Sequence, residues 1–234
     1  MKKILFISFI ISCIGTINAQ HFQLHTGIVY PTGDFASDDV RNDYAGNATT
    51  GFNIGIKSYL PLSHSNLSFV FGFDFFYNEL TSKYEDSLNP TTEIDGYSGS
   101  SYPKYLNMPL TLGLNYSYPL YKELKVYGEA GLGINCSMMT SNVIKYGENE
   151  FYGSYLDNYE DKIVYANSYG LCYNAEGGFL IKWFRLGLKY NYLGSHNYKT
   201  KWVLTENGDE IDSEKWENTK RIISNWQLMI GFVF

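Results

Sequence analysis

Along residues 105–118 apolar and polar positions alternate without a break. Leu106, Met108, Leu110, Leu112, Leu114, Tyr116 and Tyr118 are apolar or aromatic, and the residues between them, Asn107, Pro109, Thr111, Gly113, Asn115 and Ser117, are small or polar. Successive side chains of a strand point to opposite faces, so a period of two predicts a strand with one apolar and one polar side. The same period recurs in residues 21–30, 50–60, 67–78, 124–138, 168–181, 184–192 and 224–234, which makes eight segments in all. Val70 and Phe76 interrupt the polar side of the third. No segment sustains a helical period.

The connections alternate as well. Residues 61–66, 119–123 and 182–183 are short links, whereas 31–49, 79–104, 140–167 and 194–222 are long. Short turns on one rim and long loops on the other are the habit of a membrane barrel. Each segment reaches or nearly reaches the about 9 to 11 residues that a tilted strand needs to cross a bilayer. The predicted fold is all-β, an eight-stranded antiparallel up-and-down transmembrane β-barrel. A ten-stranded version follows if 142–146 and 162–165 pair as one more membrane hairpin.

The polar face decides what the apolar face meets. In a water-soluble barrel the polar face would carry Lys and Glu in quantity. Here it is mostly Gly, Asn, Ser and Thr, the small side chains that the narrow interior of eight strands can hold. Its charges are Lys57, Asp74, Lys125, Glu129, Glu176, Arg185 and Lys189. Lys125 begins a strand near the turn-side rim, and the other six balance three against three. Buried charges must find partners, so the expectation is a paired lumenal network of Lys57, Asp74, Glu129, Glu176, Arg185 and Lys189 that plugs the barrel. Of 24 acidic residues, all but Asp74, Glu123, Glu129 and Glu176 fall in the four long connections. A charge on the lipid-facing side is costly at the midplane, so this sorting points the apolar face to hydrocarbon. The 22 Tyr, 15 Phe and 4 Trp fit the same picture. Tyr30, Tyr59, Tyr77, Tyr116, Tyr118, Trp183, Tyr192 and Trp226 are the expected interfacial girdles.

Residues 1–19 read as a signal peptide: Lys2 and Lys3, an apolar run, then Ala19 before Gln20. The run is too short to span a bilayer as a helix. A weaker alternative is lipidation at Cys13. Residues 20–234 then form one barrel domain, with 16 basic against 24 acidic residues once Lys2 and Lys3 are removed. That balance argues against nucleic acid as a partner. Cys136 and Cys172 fall on opposite faces of neighbouring strands, which disfavours a disulfide.

Gly27-Ile28-Val29-Tyr30-Pro31-Thr32-Gly33-Asp34-Phe35, Tyr105-Leu106-Asn107-Met108-Pro109-Leu110 and Val126-Tyr127-Gly128-Glu129-Ala130-Gly131-Leu132-Gly133 resemble the PorT-like outer-membrane β-barrel family. The aromatic ending resembles the wider OmpA/OmpX-type barrels. The resemblance covers the barrel domain and its motifs mark strand ends and small-residue packing. It implies an outer-membrane location and supplies no catalytic residue.

Candidate chemistry is sparse. His21 and His25 share the polar face, but four residues of strand separate them by ~13 Å, too far for one metal. His64 lies in a turn. Ser195-His196, near the outer rim of the seventh segment, is the one pair fit for a lipid-modifying enzyme, and it needs a third group. Glu206-Asn207-Gly208-Asp209-Glu210 has the wrong spacing for a calcium loop, and its Asn-Gly reads as a hairpin turn, so the last two strands are expected to project beyond the membrane. The reading is a non-enzymatic outer-membrane barrel with long acidic loops, serving envelope integrity, adhesion or partner binding, without cofactor or metal. Its expected partners are the lipid bilayer, lipopolysaccharide and an extracellular partner on the loops. The alternatives are a narrow porin and a lipid-modifying enzyme.

Overall fold

The computed structural model describes residues 21–39, 41–62, 65–82, 97–146, 149–151, 154–156, 159–214 and 216–234. Residues 1–20, which include the expected leader and Cys13, and His64 lie outside the described residues. Eight strands form the barrel: β1 (His21–Pro31), β2 (Gly51–Pro61), β3 (Leu67–Asn78), β4 (Tyr105–Tyr121), β5 (Leu124–Met139), β6 (Ser168–Ile181), β7 (Phe184–Glu206) and β8 (Glu217–Val233). Each pairs antiparallel with the next in sequence, and β1 pairs with β8 from Gln23↔Val233 to Pro31↔Asn225, which closes the ring. Closure leaves no free edge at membrane depth. Turns Lys122-Glu123 and Lys182-Trp183 join β4 to β5 and β6 to β7, with Lys122 and Lys182 in the left-handed region at φ 47° and 55°.

The alternation sorts inside from outside. Leu112, Leu132 and Leu171 are 66%, 71% and 79% exposed on the outer wall, whereas Lys57, Asp74 and Lys189 at inward positions are 2% or less. An apolar surface this open is stable only against hydrocarbon. Phe22, Tyr116, Tyr118, Trp183 and Phe234 ring the turn side, and Tyr30, Tyr169 and Trp226 the loop side. Tyr59 departs from the expected girdle. It shares inward parity with Lys57 and is buried in the lumen. Val70 and Phe76 are buried too, because their interruption of the polar face puts them inside. Cys136 and Cys172 are free.

Two predicted boundaries change. β7 runs on past Tyr192 to Glu206, through a register shift between Tyr192 and Gly194 that interrupts the alternation. A bulge of this kind flips which parity faces inward: Arg185 and Lys189 point in before it, His196 and Tyr198 after it. The Asn207-Gly208 turn, with φ 51° and 90°, sends the chain back through Asp209–Ser213 along β7, so β7 and β8 do project beyond the membrane. Ten membrane strands are excluded. The segment Asn142–Tyr146 pairs with Tyr159–Tyr165, but the latter adds to the projecting part of β7, Thr200 to Glu206, while β5 and β6 already pair from Ser137↔Ser168 to Leu124↔Ile181. With Tyr97–Ser101 on the far side of Asn142–Tyr146, these segments extend the barrel wall on the loop side.

Candidate functional site

The lumen is where the sequence concentrates polar chemistry, and β2, β3, β5, β6 and β7 deliver it. The two carboxylates Glu129 and Glu176 sit directly opposite each other on β5 and β6. Like charges in that position repel, so cations must come from elsewhere. Lys57 Nζ, reaching over from β2, bonds Glu129 Oε1 at 2.6 Å and also Glu176 Oε2. Arg185 Nη2 bridges Glu129 Oε2 at 2.9 Å and Glu176 Oε1 at 3.2 Å. Its guanidinium lies 3.5 Å from the ring centre of Tyr127, whose hydroxyl donates to Glu176 Oε1 at 2.8 Å. Arg185 Nη1 donates to the Tyr59 hydroxyl at 2.5 Å, and Tyr59 donates on to Gln23 Oε1 at 2.7 Å.

One layer toward the loops, Asp74 gathers a second set. Lys189 lies opposite Glu176 in the β6–β7 register, yet its Nζ crosses the lumen to Asp74 Oδ2 at 2.8 Å. His25 Nε2 meets Asp74 Oδ1 at 2.7 Å, and Asn53 Nδ2 donates to the same oxygen at 2.8 Å. Gln227 Nε2 donates to Asn53 Oδ1 at 2.5 Å. Gly55 lies between His25 and Asp74 in the ladder, and a Cβ there would stand 2.5 Å from Asp74 Oδ1 and 2.6 Å from His25 Nε2. Only glycine lets the two meet. The structure thus brings all six charged candidates together in two adjoining layers, each with opposite charges matched and each carboxylate held by several donors.

Sequence reasoning missed the neutral half of the network: Gln23, Asn53, Tyr59 and Tyr127. Their signal was parity, since each shares the inward register of a charged candidate. It also missed a second closure. The first long loop turns through a short 3-10 helix, Gly33–Phe35, and drives Phe35 into the loop-side mouth. Phe35 is fully buried with Val29, Ala48, Phe76, Leu80, Tyr105, Leu193 and Ile223. Its ring meets Tyr105 edge-on at 5.0 Å, and the Tyr105 hydroxyl donates to the Gly46 carbonyl at 2.9 Å. Backbone bonds from Gly46 to Asp34 and from Ala48 to Phe35 hold the loop down.

The structure separates the other candidates. His196 is fully buried, with Nε2 at 2.9 Å from the Leu193 carbonyl and 3.1 Å from Asn135 Nδ2, while Ser195 faces outward. Consecutive strand residues point to opposite faces, so the two cannot act on one atom. His21 is exposed at the turn end and His25 buried on Asp74. Among the described residues no group of three His, Cys, Asp or Glu is placed to hold a metal. At the loop-side rim Glu79 accepts from the Tyr77 hydroxyl at 2.7 Å and from Lys104 Nζ at 3.2 Å. These donors, Tyr77 first, hold its carboxyl below the usual carboxylate value, and Lys104 is raised by its own interactions with Tyr77 and then Glu79.

No family model matches the sequence, and no curated protein matches it. Among solved structures the chain is similar to Neisserial surface protein A, at 14% identity and a TM-score of 0.51 over 92% of this chain and 95% of that one. It is also similar to a major outer membrane protein of Thermus thermophilus, at 12% identity and a TM-score of 0.50 over 93% of this chain and 100% of that one. Likeness at this identity is one of fold. The chain has the eight-stranded antiparallel architecture of an outer-membrane barrel.

Proposed function

We propose that this is a closed, non-enzymatic outer-membrane barrel that offers its loop-side wall to a partner outside the cell. The observation that carries the reading is the double closure of the lumen, by the paired charges around Glu129, Glu176 and Asp74 and by the Phe35 cluster. Buried ion pairs whose carboxylates each accept several hydrogen bonds do not readily open to passing solutes. The loop side, by contrast, is built outward into β-structure whose outermost segment, Tyr97–Ser101, is paired on one side with Asn142–Tyr146. Among the described residues its other side has no strand, and a strand paired on one side is a template for strand addition by a partner. The strand-end motifs support a PorT-like member of this class, and the apolar belt supports contact with the bilayer and with lipopolysaccharide.

Planar-bilayer recording tests the closure. The purified protein is expected to give no stepwise conductance, and discrete steps would favour a narrow porin instead. The enzyme alternative is tested by comparing lipid A from cells carrying the wild-type chain and Ser195→Ala by mass spectrometry. Identical profiles are expected, and a lost modification would overturn the non-enzymatic reading.

A further inference from the structure

Below the ionic layers, a cavity of about 460 Å³ opens at the turn end of the barrel. Its lining includes His21, Ser68, Asn115, Lys125, Lys182 and Arg185, and no acidic side chain among the described residues. The charges just above it are already matched, Lys57 and Arg185 against Glu129 and Glu176. The rim lysines are therefore a surplus. Lys182 reaches Glu123 at 3.1 Å, a pair whose side chains are 60% and 61% exposed and which holds the lysine weakly. Lys125 has no ion-pair partner among the described residues. A second observation is independent of the lysines. Arg185 closes the inner end; its Nη1 and Nη2 are taken by Tyr59, Glu129 and Glu176, and its remaining donor, the buried Nε, has no hydrogen-bond partner. Ser68 adds a hydroxyl at the wall. Cations gathered in a concavity with low-dielectric walls focus their field into it and concentrate counter-ions there.

We propose that the turn end of the lumen is a binding site for a small anionic group, a carboxylate or a phosphate, held between Lys125 and Lys182 with the Arg185 guanidinium behind it. Leu180, Trp183 and Val233 line the same cavity, so the anion can carry a short apolar portion. The site lies at the opposite end of the barrel from the loop-side wall and stands whatever that wall binds. Two sources share this chemistry: a free anion in the compartment on the turn side, or the headgroup of a phospholipid in the adjoining leaflet.

Two-dimensional NMR of the full barrel tests the site. Inorganic phosphate is titrated into nonionic micelles, and in a parallel arm phosphatidylglycerol is added to the micelles. Saturable shifts centred on the amides of Ser68, Ser117, Lys125 and Lys182 are expected in at least one arm, the phosphate arm assigning a free anion and the lipid arm a headgroup. Lys125→Gln is expected to weaken the apparent affinity about tenfold, the loss of one charge-assisted contact. Glu123→Gln, which releases Lys182, is expected to strengthen it. Shifts that never saturate in either arm, or an affinity unchanged by both variants, would overturn the proposal.

Discussion

The two ends of the lumen are closed by opposite chemistry. On the turn side the closure is ionic: Lys57, Arg185, Glu129 and Glu176 satisfy one another within a shell of Tyr59, Tyr127 and Gln23. On the loop side it is apolar, a single phenylalanine brought in by a loop and packed on Tyr105 and Phe76. The first is built entirely from strands and cannot move without breaking the barrel wall. The second is attached to a loop tied mainly to itself, by backbone bonds such as Gly46 to Asp34, Asn47 to Ser37 and Ala48 to Phe35, and not by the barrel ladder. The ionic end therefore sets whether the barrel folds, and the apolar end sets how the loop side is arranged.

Removing one member of the ionic set has the largest expected effect. Lys57→Met leaves Glu129 and Glu176 facing each other with only Arg185 between them, and a buried pair broken on one side costs about 3–5 kcal/mol. Urea unfolding from lipid vesicles is expected to show a loss of that size. A loss near zero would mean that the two carboxylates are solvated separately.

Phe35→Ala is the matching cut at the other end. Truncating a fully buried phenylalanine costs about 3–5 kcal/mol in a rigid core, and less here if the loop detaches rather than leaving a cavity. Amide hydrogen exchange is expected to quicken at Gly46 and Ala48 while β2, β5 and β6 keep their protection. Exchange that quickens throughout the barrel would contradict the division between the two ends.

The smallest effect belongs to the rim outside both closures. Glu79 has a depressed folded pKa, so its contribution is present above the unfolded value of 4.5 and is lost as pH falls through the folded one. Lys104 has a raised folded pKa, so its contribution is full below 10.5 and is lost as pH rises beyond it. Both groups are largely exposed, which limits the pair to under about 1 kcal/mol and makes it salt-sensitive. Protection of the Lys104 amide, which donates to Thr140 Oγ1 at 2.8 Å, is expected to hold across neutral pH and to weaken slightly in acid below the carboxylate range. Glu79→Gln should remove that acid dependence. A dependence that survives the substitution would assign it to another group.

The contrast between the ends also explains what could be read from the sequence. A strand period of two fixes facing once parity is known, so Lys57, Asp74, Glu129, Glu176, Arg185 and Lys189 are legible as inward charges from alternation alone. Which cation meets which carboxylate is not. Lys189 stands beside Glu176 in the ladder but bonds Asp74 across the lumen, a choice set by side-chain reach and barrel diameter. Phe35 is illegible for a different reason: it sits in an irregular loop where no period assigns a face. The end of β7 is hidden by the bulge at Tyr192 and Gly194, after which inward residues change parity and a search for unbroken alternation stops. Tyr59 lies near a strand end, where an interfacial ring is expected, yet its parity with Lys57 puts it inside.

An apolar outer wall around a polar lumen requires hydrocarbon on the outer face of β4. The most direct check is nitroxide scanning of residues 106–114 in a Cys136→Ser, Cys172→Ser background reconstituted into vesicles, reading collision with oxygen against a water-soluble nickel complex. Labels at Leu106, Met108, Leu110, Leu112 and Leu114 are predicted to collide with oxygen and be shielded from nickel, with Leu110 and Leu112 the most extreme. Nickel access at those positions equal to that of a label in the Asn207-Gly208 turn would contradict the account.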